Sequence, residues 1–316
     1  MSTDPLAPQA SLKESPEHML QDHEVAYERL LSAPGVVFLL GAIDTGKTTF
    51  GIELLKRARA VGIEAGLVDA DVGQSTVGPP TTVGLKLAAG LDDIGPDAVR
   101  AADALAFVGS ITPRGHLLSL VTATVKLVLR ARAEGCRLVI VDTTGFLSGI
   151  GAQRLKFAKM ELVKPDHVVA FTRGGELDPI LGIVRRFTPA EMIQISVSPD
   201  VLPRTVDERA AFREQRFAGY FATGTSRWRV KPTVFMPTLP PEFDLALLDG
   251  LVVGMEDGKG DCRGIGVLEF DTSEEVLRMV SPIAEGVRGL RLGSIRIDVG
   301  GRSRGPVDLR ELFHTE

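Results

Sequence analysis

Hydrophobic and polar positions along the chain follow one pattern up to about residue 230 and another beyond it. In the first part, short apolar runs typical of buried strands alternate with stretches whose apolar residues recur at helical spacing. This alternation predicts a parallel sheet flanked by helices, because parallel neighbours need a crossover and a helix usually supplies it. An amphipathic helix over residues 17–32 precedes the first strand, Val36–Leu40.

Prolines interrupt the alternation after residue 230, and strand patterns continue without helices between them. A hairpin is predicted around Asp257-Gly258-Lys259-Gly260, and another strand begins near Gly289. The sequence therefore predicts three parts. They are a polar leader ending in the amphipathic helix (residues 1–34), an α/β domain (35–230) and a small β-rich C-terminal domain (231–316).

Composition narrows the class of protein only modestly. The 316 residues are 44% hydrophobic and 24% charged with a net charge of −5, which is typical of a globular protein rather than a nucleic-acid coating protein. With only two cysteines, no signal-peptide pattern and no apolar run long enough to span a bilayer, the chain is expected in the cytoplasm and off the membrane. Residues 185–231 nevertheless hold nine Lys/Arg against five Asp/Glu, which suits a phosphate-rich ligand.

Residues 41–48, Gly-Ala-Ile-Asp-Thr-Gly-Lys-Thr, lie between a predicted strand and a predicted helix and fit G-x-x-x-x-G-K-[ST]. In such a P-loop, backbone N–H groups and the positive helix end hold phosphate oxygens, the lysine reaches the β- and γ-phosphates, and the threonine hydroxyl ligates magnesium. The sequence thus predicts a P-loop NTPase-type fold that binds a nucleoside triphosphate. The predicted nucleotide-binding residues are Gly41, Asp44, Thr45, Gly46, Lys47, Thr48 and Thr49.

Acidic residues follow two further predicted strands. Asp69 and Asp71 are two positions apart and would share a face if the strand continued to Asp71. They form either a magnesium and base site beside the nucleotide or a polar turn that ends the strand. Asp142, in Asp-Thr-Thr-Gly, is either a magnesium ligand or a cap of the next helix. Because ligands of such folds bind at the carboxyl ends of the strands, the P-loop favours the first alternative for both segments.

Two arginines on a predicted helix also admit two interpretations. Arg209 and Arg213 are four residues apart, so they project from one helix face. They could stabilise the charge that develops on a transferred phosphoryl group. Alternatively, they form a solvated face paired with Glu208 and Glu214.

Five segments occur together and in order, and the combination is much more specific than any one of them. They are G-x-x-D-x-G-K-T at 41–48, DADVGQS at 69–75, SITP at 110–113, DTTGF at 142–146 and RTVDERAAFREQRFAGYF at 204–221. Over about residues 35–300 the chain resembles the polynucleotide 5′-hydroxyl kinases, the family of RNA kinases attached to pre-mRNA cleavage, tRNA splicing and ribosomal RNA processing. The short N-terminal part is similar to the compact prokaryotic form. The resemblance implies Mg²⁺-dependent transfer of the γ-phosphate of ATP or GTP to a 5′-hydroxyl end of single-stranded or end-accessible RNA or DNA.

The resemblance also implies a role for individual residues. Asp71 matches the acid that activates the 5′-hydroxyl, and Lys47 the phosphate-binding lysine. Arg209 and Arg213 match an arginine lid over about residues 203–222, with Arg204 assisting at the nucleotide. The implied magnesium residues are Thr48, Asp71 and Asp142, and the implied substrate contacts are Asp69, Gln74, Thr112 and Phe146.

Phe146 departs from the family, which usually has a base-stacking tryptophan at this position. A phenylalanine can stack on a base as well, since such contacts tolerate any base. The alternative is that Phe146 belongs to the core at a strand end.

A regulatory P-loop GTPase is the second hypothesis, because Asp142-Thr143-Thr144-Gly145 also fits the switch pattern D-x-x-G. A guanine-binding [NT]-K-x-D should then follow a later strand. The nearest match, Val163-Lys164-Pro165-Asp166, has a different first residue and precedes its strand. The GTPase also leaves Asp71, Gln74 and the arginine lid without a role.

Overall fold

Five parallel strands form the centre of the first half of the chain, as the alternation predicts. The computed structural model describes residues 22–198 and 201–313, so the predicted leader and the first residues of the amphipathic helix lie outside the described residues. The strands of this half are β1 (Val36–Gly41), β2 (Ala65–Ala70), β3 (Thr82–Leu87), β4 (Ala104–Phe107), β5 (Leu138–Thr143), β6 (His167–Thr172) and β7 (Glu191–Ser196). Strands β2, β5, β1, β6 and β7 lie side by side in this order and are parallel.

Helices cover both faces of the parallel strands. They are α1 (His23–Ser32), α2 (Lys47–Ala60), α3 (Leu117–Ala133), α4 (Gly149–Val163) and α5 (Asp178–Phe187). Apolar residues of α1 and α2 pack into one core, where Tyr27 stacks on Phe50 with ring centroids 4.4 Å apart. Residues of α3, α4 and α5 pack into the core on the other face. Because both faces are covered, the strands are almost entirely apolar.

Strands β3 and β4 differ from the expected parallel arrangement. β3 lies in the Gly/Pro-rich stretch, where no strand is predicted, and is antiparallel to both β2 and β4. Residues 71–81 form no crossover helix, so the chain turns back beside the strand that it leaves. Position 84 within β3 needs a glycine, because a Cβ there would lie 2.4 Å from the carbonyl oxygen of Val77. Because glycine and proline are uncommon in strands, the sequence pattern does not indicate a strand here.

The C-terminal region is rich in β-strands, as predicted. Between β7 and residue 230 lie α6 (Val206–Phe221) and β8 (Ser226–Arg229). The elements beyond residue 230 are β9 (Phe235–Met236), β10 (Leu251–Glu256), β11 (Cys262–Asp271), β12 (Val276–Ser281), β13 (Gly289–Ile297), β14 (Ser303–Pro306) and α7 (Leu309–Leu312). β10 and β11 form the predicted hairpin, and β11 also joins β4 where Cys262 pairs with Leu105. The two halves therefore share one hydrogen-bonded sheet, and their division at about residue 230 stays a prediction.

Helix α6 connects the two halves by packing on the C-terminal strands. Phe217 and Phe221 of α6 share a core cluster with Phe107 of β4 and with Val252 and Ile265 of the hairpin. A hydrogen bond adds to this contact, since the Tyr220 hydroxyl accepts from the N–H of Ile265 at 3.0 Å. Within the described residues, no helix is long and apolar enough to cross a membrane.

Gly254→Ala tests how closely β10 approaches β4. A Cβ at Gly254 would lie 2.3 Å from Cγ of Phe107, whose side chain is buried. We expect a loss of about 1–3 kcal/mol in the free energy of unfolding, the usual cost of overpacking, measured by urea denaturation. The control is Gly219→Ala in α6, where a Cβ meets nothing within 4 Å and helix propensity favours alanine. Equal stability of the two variants would contradict the close approach.

Candidate active site

The loop between β1 and α2 has the backbone geometry that the P-loop pattern predicts. Gly41 ends β1, and a Cβ on it would lie 2.5 Å from Oγ1 of Thr45. Gly46 has φ of +88°, a left-handed conformation that favours glycine, and α2 begins at the next residue. The first N–H groups of a helix have no intrahelical acceptor, so the positive end of α2 faces this loop.

Lys47 and Thr48 carry the polar groups of the P-loop. The buried Lys47 donates from Nζ to the carbonyl oxygen of Ala42 at 2.6 Å. The Thr48 hydroxyl donates to Oδ2 of Asp142 at 2.5 Å, and Oδ1 of Asp142 is buried without a hydrogen-bond partner among the described residues. The predicted magnesium residues Thr48 and Asp142 thus meet, and one carboxylate oxygen is left for a further ligand.

A cavity of about 740 Å³, called here the nucleotide cavity, opens above the P-loop. Residues 44–49 line it, together with Asp71, Arg204 and Phe212. Its volume lies in the range of small-molecule sites. The predicted nucleotide-binding residues therefore surround one space, except Gly41, which lies behind the loop at the end of β1.

Asp69 is buried at the end of β2, directly beside Asp142 in the register of β2 and β5. Its Oδ1 accepts from the N–H of Asp71 at 3.0 Å, and its Oδ2 accepts from the N–H groups of Thr76 at 2.6 Å and Val77 at 3.0 Å. Burial, and then the charge of Asp142, raise the pKa of Asp69, while the backbone donors oppose the shift. Both carboxylate oxygens of Asp69 thus brace the loop, and its contact with a substrate stays a prediction.

Asp71 lies on that braced loop, and its carboxylate is held at one oxygen. Its Oδ1 accepts from the N–H groups of Gly73 and Gln74, both at 3.1 Å. Gln74 donates from Nε2 to the carbonyl oxygen of Arg209 at 3.2 Å, which connects the loop to α6. These contacts orient the Asp71 carboxylate without occupying all of its acceptor capacity.

A second cavity of about 380 Å³, called here the acceptor cavity, adjoins the nucleotide cavity. Asp71, Gln74 and Ile43 border both of them. The other predicted site residues in its lining are Thr112, Phe146, Arg209 and Arg213. The half-buried Phe146 packs partly against the core but also presents a face to this cavity, so the structure combines its two predicted environments.

Helix α6 carries the predicted lid, and its N-terminus is tied to the P-loop. A capping box between Thr205 and Glu208 starts the helix. Just before it, the Arg204 guanidinium donates to Oδ1 of Asp44 at 2.6 Å. Burial tends to raise the pKa of Asp44, but the hydrogen bonds from Arg204 outweigh it, so the pKa lies below its ordinary value.

The alternative of a solvated arginine face requires Arg209 and Arg213 to pair with Glu208 and Glu214. Glu208 is engaged in the capping box, and Glu214 accepts from the N–H of Ser303 at 3.0 Å. Across the two described ranges, no ion pair involves Arg209 or Arg213. Arg209 donates from its guanidinium to the carbonyl oxygen of Arg204, and both half-buried arginines line the acceptor cavity.

Two buried lysines of α4 were missed by the sequence analysis. Lys156 donates from Nζ to the hydroxyl of Thr143 at 2.7 Å and to the carbonyl oxygen of Thr144 at 2.6 Å. Lys159 is fully buried, and its Nζ has no hydrogen-bond partner among the described residues. Burial lowers the pKa of Lys159 to about 7, while the carboxylates of the site oppose the shift. Their positions on the apolar face of α4 could have indicated that they are buried, and polar residues at such positions need partners.

The loop between β4 and α3 is clamped to the C-terminal strands. Ser294 of β13 donates from its N–H to the carbonyl oxygen of Gly109 at 2.7 Å, and its hydroxyl lies 2.9 Å from Nε2 of His116. Gly73 packs directly on this loop, because a Cβ there would lie 2.6 Å from the carbonyl oxygen of Ile111. The C-terminal strands thereby position one wall of the acceptor cavity.

The P-loop, the Thr48–Asp142 pair and the nucleotide cavity define a P-loop nucleotide-binding protein. Residues 41–223, more than half of the chain, match the family described as mRNA cleavage and polyadenylation factor CLP1 P-loop. The chain belongs to this family.

Relatives of named activity match over most of the chain. The polyribonucleotide 5′-hydroxyl-kinase PH0197 of Pyrococcus horikoshii is 28% identical over 91% of this chain and 93% of its own length. The corresponding protein MJ1315 of Methanocaldococcus jannaschii is 27% identical over 87% and 90%. Among solved structures, Clp1p in complex with Pcf11p has a TM-score of 0.65 at 13% identity, covering 87% of this chain and 77% of Clp1p. This last likeness supports the fold alone.

Lys156→Met tests whether the buried amine holds the end of β5. The substitution keeps the length of the side chain but leaves the hydroxyl of Thr143 and the carbonyl oxygen of Thr144 without their donor. We expect a loss of about 1–3 kcal/mol in the free energy of unfolding, the usual cost of unsatisfied buried groups, measured by urea denaturation. The matched control is Lys164→Met at the exposed end of the same helix. A Lys156→Met protein as stable as the control would contradict this role.

Proposed function

We propose that the protein is a polynucleotide 5′-hydroxyl kinase. The observation that carries the proposal is that Asp71 borders both cavities, with the P-loop on one side and Phe146, Arg209 and Arg213 on the other. A carboxylate between a nucleotide site and a separate aromatic and cationic site is arranged to serve transfer to a second substrate. The names of the archaeal relatives support a 5′-hydroxyl end of RNA as that substrate.

The nucleotide cavity holds the phosphate donor, ATP or GTP. Backbone N–H groups of residues 44–48 and the N-terminus of α2 contact the phosphates. Lys47 serves the β- and γ-phosphates after its Nζ leaves the carbonyl oxygen of Ala42, which it contacts here. The aromatic ring of Phe212 and the Asp44–Arg204 pair close the cavity on the lid side.

The residues present fit Mg²⁺. Thr48 and Asp142 would hold it, with Asp71 as the third predicted ligand, and the unpartnered Oδ1 of Asp142 supports this assignment. No group of three or more His, Cys, Asp or Glu able to hold a metal occurs in the described ranges. Mg²⁺ in kinase sites needs only one or two carboxylates, because phosphates and waters complete its coordination. Bound there, it offsets the negative charge of the β- and γ-phosphate oxygens.

In the transfer step, the 5′-oxygen of the acceptor bonds to the γ-phosphorus. The bond between that phosphorus and the β–γ bridging oxygen breaks, and the nucleoside diphosphate leaves with that oxygen. The proton of the 5′-hydroxyl passes to the carboxylate of Asp71, which its contacts with Gly73 and Gln74 hold in position. Arg209 and Arg213 stabilise the charge on the transferred phosphoryl group.

A regulatory GTPase is less well supported by the contacts of the chain. Asp166, the acid of the nearest guanine-binding pattern, accepts from the N–H of Val36 at 2.7 Å and so serves the start of β1. The acceptor cavity would also have no role in a protein that only hydrolyses GTP.

Transfer of label from γ-³²P-ATP or γ-³²P-GTP to matched 5′-hydroxyl RNA and DNA oligonucleotides tests the proposal directly. We expect labelled 5′-phosphate ends, with a 5′-phosphorylated oligonucleotide as the control that accepts none. Release of inorganic phosphate without label on any oligonucleotide would support the GTPase instead.

Asp71→Asn should slow the chemical step roughly 10²–10⁴-fold, because an amide cannot accept the proton of the 5′-hydroxyl. Its oxygen can still accept from the N–H groups of Gly73 and Gln74, so the melting temperature should hold. Single-turnover transfer, with nucleotide affinity measured alongside, checks this expectation. The matched variant Asp69→Asn should lower the melting temperature instead, since it sets an NH₂ group against backbone donors. Transfer by Asp71→Asn at the wild-type rate would rule out Asp71 as the base.

Phe146→Ala should raise KM for the oligonucleotide about tenfold or more, since base–aromatic stacking is worth roughly 1–3 kcal/mol. The affinity for the nucleotide should stay unchanged, because Phe146 borders only the acceptor cavity of the two. Phe146→Trp serves as the control and should retain or lower KM. A parallel loss of both affinities with the melting temperature would assign Phe146 to the core.

A further inference from the structure

Arg114 is a cation of the acceptor cavity for which neither the sequence motifs nor the transfer step has a role. It lies on the loop between β4 and α3, is exposed, and lines this cavity together with Asp71 and Phe146. Its guanidinium carbon lies 5.8 Å from the centroid of the Phe146 ring, within the range of a cation–π contact.

The charge of Arg114 is not compensated by an acidic partner. None of the ion pairs found within residues 22–198 and 201–313 involves it. In the described lining of the cavity, Asp71 is the one carboxylate, whereas Arg114, Arg209 and Arg213 supply three guanidinium groups. A cavity with this excess of positive charge suits an acceptor that itself carries phosphate.

The position of Arg114 is set by its surroundings. Its own N–H donates to the hydroxyl of Thr112 at 3.4 Å, which tightens the turn of the loop. Both ends of the loop meet Ser294, which contacts Gly109 and His116. The Phe146 ring restricts the side chain further, and a guanidinium restricted in this way loses less conformational freedom when it binds an anion.

We propose that Arg114 binds the internucleotide phosphate nearest the 5′ end of the acceptor, an inference that rests on the proposed function. A nucleoside stacked on Phe146 with its 5′-hydroxyl at Asp71 carries its 3′-phosphate on the same ribose. That phosphate is therefore only one ribose away from the stacked base and from the 5′-hydroxyl. Arg114, beside the Phe146 ring in the same cavity, is placed to meet it. Arg209 and Arg213, which come from the lid, serve the transferred phosphoryl group instead.

The consequence is selectivity for a polynucleotide over a nucleoside. A nucleoside can fill the stacking position and present a 5′-hydroxyl, but it offers no charge to Arg114. Because guanidinium–phosphate hydrogen bonds are charge-assisted, their loss should appear in substrate affinity rather than in the chemical step.

The test is a double-mutant cycle between the arginine and one phosphate. Wild-type protein, Arg114→Gln and the exposed-site control Arg132→Gln are assayed with three 5′-hydroxyl RNA oligonucleotides. One is unmodified, one has an uncharged methylphosphonate at the first linkage, and one has it at the third linkage. The readouts are KM and kcat for phosphate transfer, and equilibrium binding of the same fluorescein-labelled oligonucleotides.

For wild type and Arg132→Gln, we expect the methylphosphonate at the first linkage to raise KM roughly tenfold, the scale of a charge-assisted hydrogen bond at a partly exposed site. The methylphosphonate at the third linkage should change KM little. Arg114→Gln should show the same roughly tenfold rise with unmodified RNA and no further rise with the first-linkage analogue. Its kcat should stay within about twofold of wild type.

Two results would overturn the proposal. Additive effects of Arg114→Gln and the first methylphosphonate would show that Arg114 does not bind that phosphate. In a further assay with a free nucleoside as acceptor, an equal rise in KM for Arg114→Gln would show that Arg114 acts only through the Phe146 ring. If the wild-type protein transfers phosphate to no oligonucleotide, the proposed function fails, and the same cycle in the binding measurement still decides the role of Arg114.

Discussion

Two buried carboxylates side by side impose the constraint on which the site depends. Asp69 and Asp142 are paired in register on β2 and β5 and are 2% and 1% exposed. Buried charges are costly unless donors or counter-charges surround them. Three N–H groups of the following loop satisfy Asp69, whereas Asp142 has the hydroxyl of Thr48 and lies near the charge of Lys47. The P-loop and the loop of Asp71 therefore converge here because two acids need partners.

The sequence predicts the parts of the site that lie within one strand–loop–helix unit. The P-loop pattern, with a strand before it and a helix after it, was sufficient to predict residues 41–49 as a nucleotide-binding segment, and residues 43–49 line one cavity. The alternation of apolar runs likewise predicted five strands that are parallel, but it also placed β4 among them, and β4 is antiparallel to its neighbour β3. It failed for β3, whose apolar positions are interrupted by a glycine that gives room to a neighbouring carbonyl group.

Residues that act through contacts between distant segments could not be predicted in the same way. Lys156 and Lys159 lie on the apolar face of α4, but the groups that surround each amine depend on how the helix packs against the sheet. The bracing of the loop by Asp69 depends on where the amides of residues 71–77 point, which spacing alone does not tell. Arg114 belongs to no motif, and only the fold brings it against Phe146.

Polar contacts connect the lid helix to two loops of the site. Arg204 pairs with Asp44 of the P-loop, and the carbonyl oxygen of Arg209 accepts from Gln74 of the Asp71 loop. The Asp44–Arg204 pair is partly exposed, so it contributes little stability by itself. The pair instead positions α6, because it holds the first turn of this helix over the nucleotide cavity. Arg209 and Arg213 then enter the acceptor cavity on the same face of the helix.

The C-terminal strands contribute to the site although none of the sequence motifs lies in them. Gly293 of β13 approaches the loop between β4 and α3 so closely that a Cβ on it would lie 2.9 Å from the carbonyl oxygen of Gly109. Ser294 adds hydrogen bonds to the same loop, and Gly73 of the Asp71 loop packs on its other side. This wall of the acceptor cavity is therefore held between the loop of Asp71 and β13. A rigid wall is what discrimination between acceptors requires, since a group displaced by about 1 Å loses most of its effect. The β-rich region thus contributes to this cavity through the backbone that it holds in place.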